Sequence, residues 1–161
     1  MEEKQIIPPP GRPQQMPLGM LLARVGKQLD RAFDDALAEA GGSRPVWLAL
    51  LAIKTGSGRT QNTLAERVGV SGPTMIHHLD RMEAAGLIAR TRDPANRRVQ
   101  MVSLTPAGEE AFLRLREAAV MFDRRLHDGL TDRDVAELRR VLGRISTNVG
   151  AVPTETKEGA P

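Results

Sequence analysis

The chain of 161 residues contains no cysteine. That absence excludes disulfides, zinc sites built from thiolates and redox sensing through a thiol. Aromatic residues are also scarce, with three Phe, one Trp and no Tyr, which argues against binding RNA or single strands by stacking bases on aromatic rings. No run approaches the ~18 apolar residues that span a bilayer, and the first residues lack the basic-then-apolar order of a signal sequence. We therefore expect a cytoplasmic protein with no membrane partner.

The net charge of +3 is modest, but it is unevenly distributed. The segment 59–98 holds seven Arg against four Asp and Glu, so the whole positive excess can be assigned to it. A local excess of cations raises affinity for phosphates through counterion release. The length predicts one domain with a core of its own, and the basic segment is the candidate for contact with a nucleic acid.

Two short helical patterns joined by a tight turn occupy residues 60–84. Thr60 is the predicted N-cap of the first helix, and Gly69 stands where the chain leaves it, a position that often requires a positive φ. Ser71 is predicted to cap the second helix, with Pro73 in its first turn. The second helix should bury three residues at spacings of four and three: Met75, Leu79 and Met82. This order is typical of a helix-turn-helix, whose second helix can enter the major groove of DNA.

A two-stranded ribbon should follow the helix-turn-helix. Segments 87–90 and 99–104 are rich in β-forming residues, and the turn composition from Asp93 to Asn96 separates them. Arg97 and Arg98 lie at the tip of the predicted hairpin. The predicted fold class is therefore mainly α (α+β), a winged helix-turn-helix with about six helices and a two-stranded wing.

Amphipathic helices flank this module. One is predicted over 18–40 and ends at Gly41 and Gly42, and another starts after a capping residue, Ser43, with Pro45 in its first turn. Two more are predicted after the wing, one from Pro106 to Gly129 and one that begins at a Thr-Asp-Arg-Asp capping box and runs to 149.

The apolar stripes of the first helix and the last two helices exceed what one chain can comfortably cover, which predicts a homodimer. A self-contained helical subdomain is the alternative. The predicted organisation is a Pro-rich flexible arm (1–17), a dimerisation region (18–42 and 106–149), a winged helix-turn-helix DNA-binding region (43–105) and a flexible tail (150–161).

Three pieces of the chain, TQNTLAERVGVS, LDRMEAAGLIAR and RDPANRRVQMVSLTPAG, resemble the MarR family of bacterial winged helix-turn-helix transcription regulators. The resemblance covers about residues 18 to 149. It implies an intertwined dimer that presents two winged modules to a pseudo-palindromic operator in double-stranded DNA, and a repressor released by a small-molecule effector. Two positions depart from the family's pattern: Asn96 replaces an Asp of the wing, and Gly72 occupies a position that is often basic. The family's cysteine-based redox mechanism cannot operate in this chain.

The candidate DNA-binding residues lie at helix N-termini, along the recognition helix and at the wing tip. Thr74, His77, His78 and Arg81 should project from the recognition helix, although Arg81 lies farther from the helix start and is better placed for phosphate. Arg97 is predicted to enter the minor groove, and Arg98 to contact phosphate or brace the wing against Asp93. The remaining candidates are at helix starts, where amides and hydroxyls suit phosphate oxygens: Thr60, Gln61, Ser71, Gly72 and Pro73.

Each assignment has an alternative. The wing arginines could lie on a solvated turn with weak ion pairs, and Thr60 and Ser71 could serve only as caps. His77 and His78 could be metal ligands, but adjacent positions suit one metal poorly and no further ligands join them. We predict no metal, cofactor or catalytic residue, because no nucleophile triad, phosphate loop or carboxylate pair is evident.

An effector site is predicted between the dimerisation helices and the reading module. Its candidate residues are Trp47, which the resemblance places near that crevice, and two possible anion partners, Arg24 and Arg44. The alternatives are a core role for Trp47 and ordinary surface charge for both arginines. The leading functional hypothesis is a dimeric, sequence-specific DNA-binding regulator. The rival hypotheses are an enzyme, which no motif supports, and a winged-helix protein-interaction module without specific DNA binding.

Overall fold

The computed structural model describes residues 16–56, 58, 60–92 and 100–150. These residues form six helices and one two-stranded antiparallel sheet, which confirms the predicted fold class. In chain order the elements are α1 (Leu18–Glu39), α2 (Arg44–Lys54), α3 (Gln61–Val68), α4 (Gly72–Ala84), β1 (Ile88–Arg92), β2 (Gln100–Leu104), α5 (Pro106–His127) and α6 (Asp132–Asn148). The chain divides into two compact units, Met1–Ala119 and Val120–Pro161, with the boundary inside α5.

The core of the first unit is built around α2, which packs against α1, α3, α4 and β2. Its buried side chains are apolar, and within the described ranges no polar or charged residue is buried. The ring of Trp47 stacks on that of Phe112, with centroids 5.7 Å apart and planes inclined by 14°. Trp47 is only 8% exposed, so it is a member of this core.

The ends of α3 and α4 confirm the predicted capping pattern. Thr60 Oγ1 accepts a hydrogen bond from the Thr63 amide at 3.3 Å, and Thr63 Oγ1 accepts one from the Thr60 amide at 3.1 Å. Gly69 has a φ of 75°, the left-handed conformation expected of a residue that ends a helix. Ser71 Oγ accepts from the Thr74 amide at 3.3 Å. The predicted stripe of α4 is buried, with no member more than 2% exposed: Met75, Leu79 and Met82.

The start of α2 corrects one prediction. The helix begins directly after Ser43, but the Ser43 side chain makes no capping hydrogen bond. Pro45 lies in the first turn and has no amide hydrogen, so this helix start has one fewer donor to satisfy. Only the backbone carbonyl of Ser43 takes part, and it accepts from the Trp47 amide at 2.8 Å.

The wing is an antiparallel hairpin whose register runs from Ile88 opposite Leu104 to Arg92 opposite Gln100. Strand β1 extends two residues beyond the predicted segment 87–90. A further bridge joins Thr60 to Met101, so β2 also contacts the start of α3. The predicted turn from Asp93 to Asn96, together with Arg97 and Arg98, lies outside the described residues.

The base of the wing is held by the residues that lead into α5. Thr105 Oγ1 donates to the carbonyl of Gly86 at 2.5 Å, and the Thr105 amide donates to the carbonyl of Leu87 at 3.1 Å. Gly108 lies so close that a Cβ atom there would be 1.9 Å from the Leu87 carbonyl oxygen. The predicted Thr-Pro start of this helix is confirmed, because the Gly108 amide donates to Thr105 Oγ1 at 3.0 Å.

The second unit contains the end of α5 and all of α6. The predicted capping box at the start of α6 is confirmed: Thr131 Oγ1 accepts from the Asp134 amide at 3.2 Å, and Asp134 Oδ2 accepts from the Thr131 amide at 2.9 Å. No residue of α6 is buried in the single chain. Its apolar stripe is therefore exposed, with Leu138 at 52% and Leu142 at 41%.

Candidate nucleic-acid interface

The outward face of α4 is mostly polar, with Ile76 as an exposed apolar residue, while its inward face is fixed in the core. Thr74 and His77 are exposed, on the same helix whose Met75 and Leu79 are wholly buried. A helix anchored by a buried apolar stripe cannot rotate without exposing that stripe to water. The core therefore determines which side chains of α4 point away from the protein.

Ser71 and Thr74 form a hydroxyl pair at the start of α4, with their oxygens 2.8 Å apart. Only one of the two hydroxyls donates within the pair, so the other keeps a hydrogen that can point outward. Ser71, Pro73 and Thr74 are exposed and Gly72 is half-buried. Pro73 has no amide hydrogen and the Thr74 amide donates to Ser71 Oγ. The first turn can therefore offer a hydroxyl donor and the Gly72 amide to an oxygen acceptor.

The two adjacent histidines have different surroundings. His77 is exposed, whereas His78 is half-buried and lines a cavity of about 320 Å³ beside the turn between α1 and α2. Their ring centroids are 6.4 Å apart. Arg81, although exposed, also lines that cavity. The structure thus groups His78 with Arg81 and leaves His77 with Thr74 on the outward face.

The N-terminus of α3 differs from that of α4 in which hydrogen-bond donors it leaves available for a phosphate. The Thr60 hydroxyl is 3.0 Å from Thr63 Oγ1 as well as capping the Thr63 amide, and Thr60 is half-buried. Its capping role is therefore established by geometry. Gln61, the first residue of the helix, is also half-buried. Any phosphate contact here would rely chiefly on amides of the first turn, which have no carbonyl partner inside the helix.

Arg90 binds two carboxylates of α4 instead of facing solvent. Its Nη2 lies 2.5 Å from Asp80 Oδ1 and 2.5 Å from Glu83 Oε2, and its Nε lies 2.8 Å from Glu83 Oε2. The Arg90 side chain is 16% exposed. We call Asp80, Glu83 and Arg90 the α4–β1 clasp. All three residues belong to the basic segment 59–98, so the pairing leaves the formal net charge of that segment unchanged.

The electrostatics of the clasp follow from these contacts. The hydrogen bond from Arg90 lowers the pKa of Glu83 below its usual value. The hydrogen bonds to Glu83 and then Asp80 raise the pKa of Arg90. With one guanidinium and two carboxylates, the clasp has a formal net charge of one negative unit. The sequence signal for this arrangement is weak. It consists of two acids, Asp80 and Glu83, three residues apart on α4, with strand β1 following closely.

The three candidate effector residues are not brought together as a free anion site. The Arg44 guanidinium binds Asp30 Oδ1 at 2.6 Å and Asp34 Oδ1 at 2.9 Å, and it donates to the Asp30 carbonyl at 2.7 Å. The hydrogen bond to Asp30 is the main cause that raises the pKa of Arg44. Trp47 is stacked in the core, while Arg24 is exposed on α1. Their effector role stays a prediction.

Two negative observations concern the described residues. Within those ranges, no group of three or more His, Asp or Glu side chains is placed to hold a metal ion. No helix found there has both the length and the apolar character needed to cross a membrane.

Known proteins resemble this chain in sequence over the same elements. The MarR family model matches residues 41–99, which contain α2, α3, α4 and β1. A protein assigned to transcriptional regulation of the hcr operon in Thauera aromatica is 26% identical over 142 residues, which cover 88% of this chain and 86% of that protein.

Solved structures are similar to this chain over about four fifths of its length. The transcriptional repressor CouR, bound to a 23-mer DNA duplex, is similar with a TM-score of 0.70 and 27% identity, over 81% of this chain and 92% of that one. A mutant MarR from E. coli complexed with operator DNA is similar with a TM-score of 0.69 and 24% identity, over 81% of this chain and 94% of that one.

Proposed function

We propose that this chain is a dimeric repressor of the MarR type that binds a specific double-stranded operator and is released by a small effector. The match of residues 41–99 to the MarR family model supports this proposal. One observation carries the DNA-binding part. The exposed polar face of α4, with Thr74 and His77, stands on a helix whose opposite face is locked into the core. The similar repressor CouR is bound to a DNA duplex, which supports the same partner here.

Base recognition is assigned to α4. The hydroxyl of Thr74 and the imidazole of His77 can each bond to base edges in the major groove, while Ser71 and the Gly72 amide bind phosphate. Arg81 and His78, on the cavity side, are better placed for backbone phosphate than for bases. Arg97 is proposed to enter the minor groove and Arg98 to contact phosphate, which keeps the assignments made for the wing.

Dimerisation is proposed from the apolar surface that the single chain leaves exposed. In α1 only Leu37 is buried, and in α6 no residue is buried. The exposed apolar residues of these two helices and of the residue that follows α6 include the following: Leu18, Met20, Leu21, Val25, Leu29, Leu138, Val141, Leu142 and Val149. Soluble monomers rarely leave stripes of this kind in water, and obligate dimers commonly bury about 2,000 Å² or more. A second copy of the chain, related by a two-fold axis, is the simplest cover.

A two-fold dimer imposes its symmetry on the operator. The proposal therefore predicts a pseudo-palindrome with half-site centres about 10 bp apart, or a multiple of that spacing. Affinity should also fall steeply with salt, because arginines that bind phosphate release counterions.

The test is a gel-shift titration with genomic fragments from around the coding gene, followed by a panel of operators with single-base changes at fixed salt. His77→Ala should cost about 1–3 kcal/mol at central positions and relax base preference there. Arg97→Ala should act at flanking A·T-rich positions instead. His127→Ala is the matched control, since His127 lies on α5 and its Nδ1 is 2.8 Å from the Asp123 carbonyl oxygen.

The outcomes separate the hypotheses. Wild-type protein that shifts no fragment would refute specific DNA binding and leave the protein-interaction module. Loss of affinity that is equal at all operator positions for His77→Ala would refute base contact by this residue. Binding of His77→Ala that depends on added metal would favour the metal hypothesis.

The effector is proposed to be a small, aromatic or anionic molecule. The cavity of about 320 Å³ beside His78 and Arg81 falls within the size range of small-molecule sites, and Arg24 remains available on α1. A panel of aromatic carboxylates and phenols can be screened by thermal shift, since a ligand at 100 times its Kd adds about 2.7 kcal/mol to stability. A ligand that stabilises the protein without weakening operator binding would contradict the release mechanism.

A further inference from the structure

The α4–β1 clasp joins the recognition helix to the first strand of the wing. We propose that Arg90 is a positioning residue for DNA binding: it holds Asp80 and Glu83 and thereby fixes the tilt of α4 relative to the wing, without contacting DNA itself. This inference rests on the proposed function, because it concerns how the same interface binds an operator.

The geometry of the clasp is that of a rigid connection. Arg90 uses two of its nitrogens on Glu83 and one of them also on Asp80, at 2.5–2.8 Å. The planar guanidinium has its donors in fixed directions, so two acceptors determine its orientation as well as its distance. The Arg90 side chain is 16% exposed, whereas the two partners of the Arg140–Glu137 pair on α6 are 53% and 58% exposed. Reduced contact with water makes the clasp stronger than such a surface pair.

The backbone connection between α4 and β1 is short. The Gly86 amide donates to the Glu83 carbonyl at 2.9 Å, and the Leu87 amide donates to the Met82 carbonyl at 2.9 Å. These two bonds fix where the strand leaves the helix but involve only the last turn of α4. Arg90 adds a contact to Asp80, one turn further towards the DNA-facing end of the helix.

A small change of tilt has a large effect at the other end of α4. Thr74 precedes Glu83 by nine residues, so the two are about 13 Å apart along the helix axis at about 1.5 Å per residue. A tilt of about 10° around Glu83 would then move Thr74 by about 2 Å, whereas hydrogen-bond distances vary by only about 0.5 Å. Base contacts from the first turns of α4 would be lost.

Neutralising the acids of the clasp tests the proposal, because the two explanations predict opposite changes in operator affinity. The Asp80 and Glu83 side chains are 55% and 42% exposed, and both acids belong to the helix that meets DNA. If charge alone mattered, their neutralisation would strengthen DNA binding by removing repulsion from phosphates. If they act by holding Arg90, their neutralisation must weaken binding even though the protein becomes more positive.

The experiment measures operator affinity for the full chain carrying Asp80→Asn together with Glu83→Gln, over a series of salt concentrations. We expect affinity to fall by about three- to tenfold, a value within the range of coupling between residues in one network. Glu66→Gln is the matched control, since Glu66 is an exposed acid on the neighbouring helix α3. It should leave affinity unchanged or raise it. Arg90→Lys should behave like the double variant, because an ammonium cannot reproduce the planar set of donors.

Hydrogen exchange in the free protein provides a second readout. Amides in α4 and β1 should exchange faster in the double variant and in Arg90→Lys, while those in α2 should not change, because loosening is confined to the joint. Global unfolding, by contrast, would accelerate exchange throughout the core.

Each of three results would overturn the inference while leaving the proposed function intact. One is equal or tighter operator binding by the double variant. Another concerns the slope of log affinity against log salt concentration. If this slope were smaller in magnitude by about 0.9 for Arg90→Gln than for the wild type, Arg90 itself would neutralise a phosphate. The third is unchanged exchange in α4 and β1. Failure of the wild-type protein to bind any fragment would instead refute the proposed function, and the inference with it.

Discussion

The backbones of Gly108 and Leu87 lie close together at the base of the wing. The loss of stability expected from a larger residue at position 108 can be worked out from this contact. At Gly108 an added Cβ would lie 1.9 Å from the Leu87 carbonyl oxygen and 3.0 Å from the Leu87 carbonyl carbon. Ordinary carbon–oxygen contacts are about 3.3 Å or longer. Gly108→Ala must therefore separate the start of α5 from Leu87 by more than about 1 Å, because the atoms it meets belong to the backbone and cannot rotate away.

That separation acts on two hydrogen bonds at the same junction, from the Thr105 amide to Leu87 and from Thr105 Oγ1 to Gly86. Each contributes about 1 kcal/mol, and overpacking adds about 1–3 kcal/mol. If both bonds are lost, we expect Gly108→Ala to lower the free energy of unfolding by about 3–5 kcal/mol.

Urea unfolding followed by circular dichroism, at equal protein concentration, measures this change. Gly72→Ala is the control: nothing lies within 4 Å of its added Cβ, so stability should stay constant or rise by about 0.4–1 kcal/mol. A Gly108→Ala protein as stable as the wild type would refute the geometric argument.

Two further predictions concern the second unit. Leu142→Asp should abolish the dimer measured by light scattering or precipitate the protein, because a charge would enter the proposed interface. The control Ala136→Asp, at an exposed position on the same helix, should leave the measured mass unchanged. A stable dimer of Leu142→Asp would exclude Leu142 from the interface. Hydrogen bonds from Thr131 lower the pKa of Asp134 in the folded state, so this group stabilises the fold above its unfolded-state pKa of about 3.9 and ceases to do so as pH falls through the lowered value. Asp134→Asn should therefore be less stable than wild type at pH 7, and the difference should shrink as the pH falls below about 3.9. A difference that persisted undiminished at low pH would contradict the assignment.

Most predictions that depended on local chemistry were confirmed, and the exception is the Ser43 cap, which forms no side-chain hydrogen bond. The caps formed by Thr60, Ser71 and Thr131 involve hydrogen bonds to residues three positions away, so the sequence contains both partners of each bond. The buried stripe of α4 follows from the 3.6-residue period alone. These features are determined within one or two turns of helix, and no knowledge of the tertiary fold is needed to predict them.

Predictions about polar side chains were less complete because their partners are distant in sequence. His78 could be placed on α4, but its position beside the cavity depends on where the turn between α1 and α2 lies. Arg44 binds acids 10 and 14 residues before it, and Arg90 binds acids 7 and 10 residues before it. A helical or strand period does not encode such pairings, since they depend on how elements pack. The wing tip is a separate case, because Arg97 and Arg98 lie outside the described residues.

The clasp also changes what the charge of the basic segment means for DNA binding. Counting residues gives seven arginines between 59 and 98, but Arg90 is bound to two carboxylates and the three residues together are negative. Six arginines of this segment then remain to neutralise phosphates. At about 0.9 per phosphate, the segment can contribute a log–log salt slope of at most about 5 in magnitude for each chain. For the proposed dimer that is about 10, so charge can supply a large share of the affinity. The placement of side chains on α4 and at the wing, which the clasp is proposed to control, would then decide which sequence is bound.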